Sequence, residues 1–286
     1  MKRLSLLLLG ITFLFASCSE KGYDGYTKND NGLFYKFYVQ NEGATPQQRD
    51  LIELQFACTV NDTTVIIPNT VDILPCIEPL FAGDIFEGLA MMHKGDSASF
   101  IVRIDSTFHT FFNLPQMPPQ FKTDDVMRFD VKVLDFYSIE VFTNNRINMM
   151  KESYPEETTQ ADNDLKTYLK NKGINAEPQP AGFYYVSSSE GDGNNPKPGD
   201  TVKVHYVLRL TDGKQLESSY EVGEPIEFVL GEGRVIPGWD KGILLMSKGE
   251  KGTLYIPFYL AYGPTGSGPI PAFSTLEFDV ELVDFE

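Results

Sequence analysis

Val235-Ile236-Pro237-Gly238-Trp239-Asp240-Lys241-Gly242 carries the only tryptophan of the chain, and 23 residues after Trp239 stands Tyr262, in Leu260-Ala261-Tyr262-Gly263-Pro264. Proline suits the first turn of a helix, and Ile243, Leu244 and Met246 continue an apolar surface. The spacing therefore predicts a short helix from Pro237 to about Met246. Upstream, Val202, Val204, Tyr206, Leu208 and Leu210 alternate with Lys203, His205 and Arg209. Downstream, Leu276, Phe278, Val280 and Leu282 alternate with Glu277, Asp279 and Glu281. A period of two is that of a strand with one buried face, which turns Tyr206 toward the core. One short helix covered by antiparallel strands is an α+β arrangement.

In order and spacing, Val204-His205-Tyr206, the Val235 to Gly242 run, Leu260 to Pro264 and Leu276 to Leu282 resemble an FKBP-type peptidyl-prolyl cis-trans isomerase, over residues 181–286. The resemblance implies a curved antiparallel sheet wrapped around the helix, and an X-Pro bond as substrate. It implies a chemistry without nucleophile, base, metal or cofactor. On the family pattern Trp239 is the floor beneath the prolyl ring, and Tyr206, Val235, Ile236 and Phe278 are walls. The Ile236 backbone N–H and the Tyr262 hydroxyl are the donors to the peptide. Tyr206, Ile236, Trp239, Tyr262 and Phe278 form the expected catalytic set; Leu216, Glu217, Ile226, Val235 and Ile270 form the expected substrate-binding set. The resemblance also implies binding of proline-containing polypeptides and of macrolide inhibitors.

The chain departs from the pattern in places. Leu216-Glu217 stands where the family commonly has Phe-Asp, and Ile226 stands where another pocket Phe is usual, although Phe228 is kept. A shallower pocket with modest activity is expected. Glu217 either orients Tyr206 or is a solvated carboxylate at the rim.

An internal comparison extends the reading. Asp50 to Phe56 aligns with Asp200 to Tyr206, Gly88 to Asp96 with Gly242 to Glu250, and Phe129 to Phe136 with Phe278 to Phe285. Matched blocks in one order predict two tandem domains of the same fold, at residues 33–138 and 181–286. In the first copy Ile85 takes the place of Trp239, Phe108 that of Tyr262 and Phe56 that of Tyr206, with Phe129 opposite Phe278. Indole and phenols are lost, so the first copy is expected not to catalyse. Its Phe108 to Phe121 stretch is apolar for a connection, and either holds a peptide or folds back onto its own domain. Residues 139–180 have apolar positions at helical spacing, Ile147, Met150, Leu165, Tyr168 and Leu169, and are read as a helical connector, with Asp162, Asn163 or Asp164 capping a second helix and Gly173 ending it.

The start of the chain, Met1-Lys2-Arg3 followed by an apolar run to Phe15 and then Ala16-Ser17-Cys18, is a secretory signal too short to span a membrane. The small residues before Cys18 look like a bacterial lipobox, which implies lipidation of Cys18 after loss of residues 1–17, with residues 18–32 a flexible tether. A lipid-anchored protein of the cell envelope is expected, facing the periplasm or the surface and most simply on the outer membrane.

The formal charge is −16 for the whole chain, and −18 without Lys2 and Arg3. Nucleic acid is excluded as a natural partner, because its binding depends on Lys and Arg neutralising phosphates. Cys58 and Cys76 either pair or are separate buried thiols. His93, His109 and His205 lack ligand spacing, so no metal is expected. There is no phosphate loop and no nucleophile elbow. A monomer is expected. Two functions are consistent with these readings: an isomerase assisting the folding of exported proteins, with the first domain holding the client, or a lipoprotein that only binds peptides.

Overall fold

The computed structural model describes residues 22–286, and alternation of apolar and polar residues decides which of them become strands. Two compact units result, built essentially from residues 22–135 and 136–286. The signal segment and Cys18 lie outside the described residues.

The first unit contains β1 (Thr27–Lys28), β2 (Phe34–Val39), β3 (Leu51–Val60), β4 (Thr64–Pro75), α1 (Ile85–Ala90), β5 (Ser97–Val102), α2 (Ile104–Thr110) and β6 (Met127–Tyr137). In β3 every second residue, Ile52, Leu54, Phe56, Cys58 and Val60, is buried, as a strand with one face on a core requires. The strand order is β1-β2-β5-β6-β3-β4. Part of the expected tether is a correction: Thr27 and Lys28 pair with Tyr35 and Phe34. The Tyr23 ring meets Phe34 edge-on at 4.8 Å, which anchors this end of the chain.

The second unit contains α3 (Ile139–Ser153), α4 (Pro155–Asn171), β7 (Tyr184–Ser189), β8 (Thr201–Leu210), β9 (Gln215–Ser218), α5 (Ser219–Val222), β10 (Ile226–Val229), α6 (Pro237–Gly242), β11 (Lys251–Ile256) and β12 (Leu276–Phe285). Its sheet runs β10-β8-β12-β11-β7, with β9 on β8. In it β8 pairs antiparallel with β10, β12 and β9, and β11 pairs antiparallel with β12 and β7. Both units are thus mixed α/β with antiparallel sheets, and β2-β5-β6-β3-β4 follows the same path as β7-β11-β12-β8-β10.

The likeness reaches local detail. Helix α1 crosses its sheet at Gly88, where a Cβ would collide with the Phe100 ring; α6 crosses at Gly242, where a Cβ would collide with Leu254. Gly95 and Gly249, both at positive φ, donate to Val133 and Leu282 at 2.9 and 2.7 Å. Asp96 accepts from the His93 N–H and Glu250 from the Ser247 N–H, each at 2.8 Å.

Helix α6 begins at Pro237 and is followed by a 3-10 turn, Ile243–Leu245, so the helical stretch changes pitch before Met246. The capping expected from Asp162, Asn163 and Asp164 is corrected: α4 starts at Pro155, with Glu156 and Glu157 in its first turn, where acidic residues suit the helix dipole. Asp162 lies inside the helix and accepts from the Tyr259 hydroxyl at 2.7 Å. Gly173 follows the last turn at φ +72. Ile147 and Ala161 are buried in the core of the second unit. Leu165 and Leu169 pack with Tyr184 and Tyr255. Tyr168 and Lys172 both donate to the buried Glu277 carboxylate, at 2.7 and 2.6 Å.

The apolar Phe108 stretch also resolves. Phe108 ends up in α2 and buried, stacked on Phe121 at 5.4 Å, while Phe111 meets Phe129 at 5.5 Å. The aromatic side chains turn inward onto their own unit. Cys58 and Cys76 are buried free thiols, and burial pushes the Cys58 thiol up to about 12.

Candidate functional site

The alternation of β8 breaks at Tyr206 and at its end: Val202, Val204 and Leu208 are buried, but Tyr206 and Leu210 are only half-buried. Tyr206 lines a cavity of about 470 Å³ in the second unit. Trp239, 4 % exposed, forms the floor. Tyr206 and Phe278 stand edge-on to the indole, both at 5.2 Å between centroids, and Phe228 lies at 5.9 Å. Such edge-to-face contacts suit the ring quadrupoles and stiffen the floor.

Helix α6 places Trp239 because Gly238 lets it approach β11; a Cβ there would strike Ile256. The preceding turn is held by Asp240, whose two carboxylate oxygens accept from the Gly231 and Gly233 N–H groups at 2.9 and 3.0 Å. Burial raises the Asp240 carboxyl above its ordinary value, and these donors oppose the shift. The sequence reading missed this residue; an acid in the first turn of a helix preceded by Gly-x-Gly was the available signal.

Polar groups around the cavity are of two kinds. The Tyr206 hydroxyl is committed to Glu217 Oε1 at 2.6 Å; burial, then this carboxylate, raises its pKa. By contrast, among the described residues the Ile236 N–H, the Tyr262 hydroxyl and the Trp239 indole N–H have no protein acceptor. Burial raises the Tyr262 phenol as well, followed by the Glu217 charge, so it remains a donor through neutral pH. An apolar cavity in which the polar groups without a protein partner are donors suits a ligand that brings carbonyl oxygens.

Of the expected site residues, Tyr206, Glu217, Ile226, Val235, Ile236, Trp239, Tyr262 and Phe278 line this one cavity. Leu216 and Ile270 do not. Leu216 packs on the core behind β9, and Ile270 is buried in that core, its N–H and carbonyl bonded to Ser267. The register of β8 with β9 shifts between Leu208 and Arg209, where Glu217 pairs with Leu208; it is Glu217 that reaches the cavity. Helix α3 adds Thr143, Arg146, Ile147 and Met150 to the lining, none of which the sequence reading placed at the site. In the first unit Ile85 and Phe56 are buried, and Phe111 lies against Phe129.

Fold and cavity together present an indole floor flanked by unpartnered donors, a site that suits an apolar ligand bearing carbonyl oxygens. Residues 193–283 match the family model of the FKBP-type peptidyl-prolyl cis-trans isomerases. These matched residues lie within the C-terminal unit and are similar to that family. The chain is 57% identical over 88 residues to FK506-binding protein 2 of Debaryomyces hansenii, covering 31% of this chain and 65% of the relative. It is 38% identical over 155 residues to the FKBP-type isomerase FkpA of Aeromonas hydrophila, covering 54% and 56%. The crystal structure of FkpA from Escherichia coli aligns at 39% identity over 49% of this chain and 63% of that one, with a TM-score of 0.41. The chain therefore spans less than two thirds of these relatives' lengths.

Proposed function

We propose that the protein is a peptidyl-prolyl cis-trans isomerase whose C-terminal unit carries the activity. The observation that carries this reading is the pairing of the Trp239 floor with two unpartnered donors, the Ile236 N–H and the Tyr262 hydroxyl.

An X-Pro amide rotates over a barrier of about 18–20 kcal/mol that comes from C–N double-bond character. A catalyst lowers it by binding the twisted amide better than either planar isomer. The twisted form has lost resonance and part of its dipole, so the dry cavity formed by Trp239, Phe278 and Tyr206 disfavours it less than it disfavours the planar forms. The prolyl ring rests on the indole, the Ile236 N–H and the Tyr262 hydroxyl hold peptide carbonyls, and the chain rotates about the held ring. The Ile236 N–H, fixed beforehand at the start of α6, needs no reorganisation as the bond twists. No residue is covalently changed. Ile226, 37 % exposed, is a smaller wall than an aromatic ring and supports modest activity.

The first unit is proposed to be a non-catalytic copy of the same fold, supported by its strand path, the Gly88 and Gly95 contacts, and Ile85 at the tryptophan position. Its aromatic stretch packs inward, so a client-holding role would use another surface. Clients are proposed to be exported proteins, and the anchor a lipid on Cys18 in a bacterial cell envelope, following the lipobox-like sequence. Among the described residues no helix is long and apolar enough to cross a membrane. FK506-type macrolides are proposed to compete for the cavity.

The test is a protease-independent assay of cis-to-trans rates on short X-Pro peptides. Enhancement that a macrolide suppresses supports the proposal. A folded protein without any enhancement leaves a lipoprotein that only binds peptide.

A further inference from the structure

We propose that α3 forms one side of the peptide cleft and that Arg146, on its cavity face, makes the cleft prefer peptides with a carboxylate side chain beside the proline. The inference rests on the proline-cavity reading of the site. Ile139–Ser153 lies wholly outside the residues that match the family model. Yet Thr143, Arg146, Ile147 and Met150, spaced to share one face of a helix, line the same cavity as Trp239 and Tyr262.

The helix is a fixed wall. Ser138 caps it by accepting from the Val141 N–H at 3.2 Å, and Ile147, 7 % exposed, joins the core of the second unit with Met150 packed beside it. Lys241 of α6 donates to Asn144 Oδ1 at 3.0 Å. Lys151 sits over the Tyr259 ring at 4.1 Å.

Arg146 is the one charged side chain lining the cavity that has no polar partner among the described residues. Glu217 accepts from Tyr206, Asp240 from Gly231 and Gly233, and Arg234 stands 4.0 Å from Glu232. Arg146 is exposed, its guanidinium lies 6.0 Å over the Phe142 ring, and it has no carboxylate in ion-pair reach among the described residues. On a chain of net charge −16, an unmatched guanidinium in the binding cleft is a local attraction for a peptide carboxylate, which it can hold bidentately. At an exposed site the preference is modest, about two- to fivefold, and screened by salt.

The test follows the fluorescence of Trp239, the single tryptophan, as the full chain is titrated with X-Pro peptides. These are identical except for Glu, Gln or Lys on one side of the proline or the other. The parent should bind the Glu peptide about two- to fivefold more tightly than the Lys peptide in at least one series, less so at high salt. Arg146→Gln should erase the preference and Arg146→Glu reverse it, with circular dichroism verifying the fold. Equal ratios in parent and Arg146→Glu, or no binding of any peptide, overturn the inference. Isomerisation rates on the same peptides are a separate reading: charge-selective binding without rate enhancement retains the role of Arg146 and removes the isomerase proposal.

Discussion

The hydroxyl of Tyr206 on β8 donates to Glu217 Oε1 on the paired strand β9 at 2.6 Å, and the phenol ring so held meets Trp239 edge-on at 83°. A carboxylate one methylene longer than Asp still reaches the phenol. Glu217 orients the wall of the cavity, and Tyr206 is not free to serve as a donor to the peptide. Replacing Glu217 by Ala should lower kcat/KM roughly two- to fivefold, since a partly solvated hydrogen bond to a charge is worth about 0.5–1 kcal/mol. The Tyr206 phenol should titrate lower in that variant. Steady-state kinetics and ultraviolet titration check both, and an unchanged rate would make Glu217 a bystander at the rim.

Tyr262→Phe deletes one donor and keeps the ring. The hydroxyl has no protein partner and the residue is 37 % exposed, so stability should move by less than about 0.5 kcal/mol. The rate should fall roughly two- to tenfold, the worth of one neutral hydrogen bond. Denaturant unfolding beside kinetics separates the two effects, and loss of stability without loss of rate would contradict the assignment.

Asp240→Ala removes the acceptor of the Gly231 and Gly233 N–H groups. Leaving such groups unsatisfied costs about 1–3 kcal/mol. Because the loop they fix leads into Ile236, peptide affinity should fall as well. Calorimetric melting and a peptide titration would report this, and unaltered affinity would release the loop from any positioning role.

Alkaline pH should destabilise the second unit. Tyr185, Tyr206 and Tyr259 have phenols raised above the ordinary value, chiefly by burial and then by the Glu250, Glu217 and Asp162 carboxylates they donate to. Tyr220 is raised to about 12, again by burial first and then by Glu281. A raised folded-state pKa means the unfolded chain loses its protons first. The stability is therefore fully present below the ordinary phenol pKa of about 10 and is lost as pH climbs through the folded values. Unfolding midpoints at successive pH values above about 9, read by Trp239 fluorescence, should fall. Tyr259→Phe should make the fall shallower, and a flat profile would refute the burial of these phenols.

Gly88→Ala and Gly242→Ala should each destabilise their own unit by about 1–3 kcal/mol, the cost of overpacking against Phe100 and Leu254. Hydrogen exchange can assign the loss to a unit. Tolerance at Gly88 with sensitivity at Gly242 would weaken the case for a shared fold.

Much of this was legible in the residues. Alternation in Val202 to Leu210 and Leu276 to Leu282 marks the strands and Pro237 marks the helix start, while the matched Gly-to-Gly blocks are the basis for proposing a duplicated fold. What escaped has physical reasons. Apolar spacing at Ile147 and Met150 announces a helical stripe but not which surface it covers, so the α3 wall of the cavity was invisible. The shifted register of β9 decided that Glu217, not Leu216, reaches the cavity, and a period-two pattern carries no information about a bulge. Asp162 looks like a cap by type, but Pro155 starts the helix two turns earlier.

The most direct measurement is exchange spectroscopy of cis and trans X-Pro peptide signals in the presence of the full chain and of its Trp239→Leu variant, with the fold of both verified. The account predicts accelerated exchange with the parent and loss of at least about tenfold with the variant, because the floor beneath the prolyl ring is gone. Equal acceleration by both would place catalysis elsewhere and contradict the role given to the cavity.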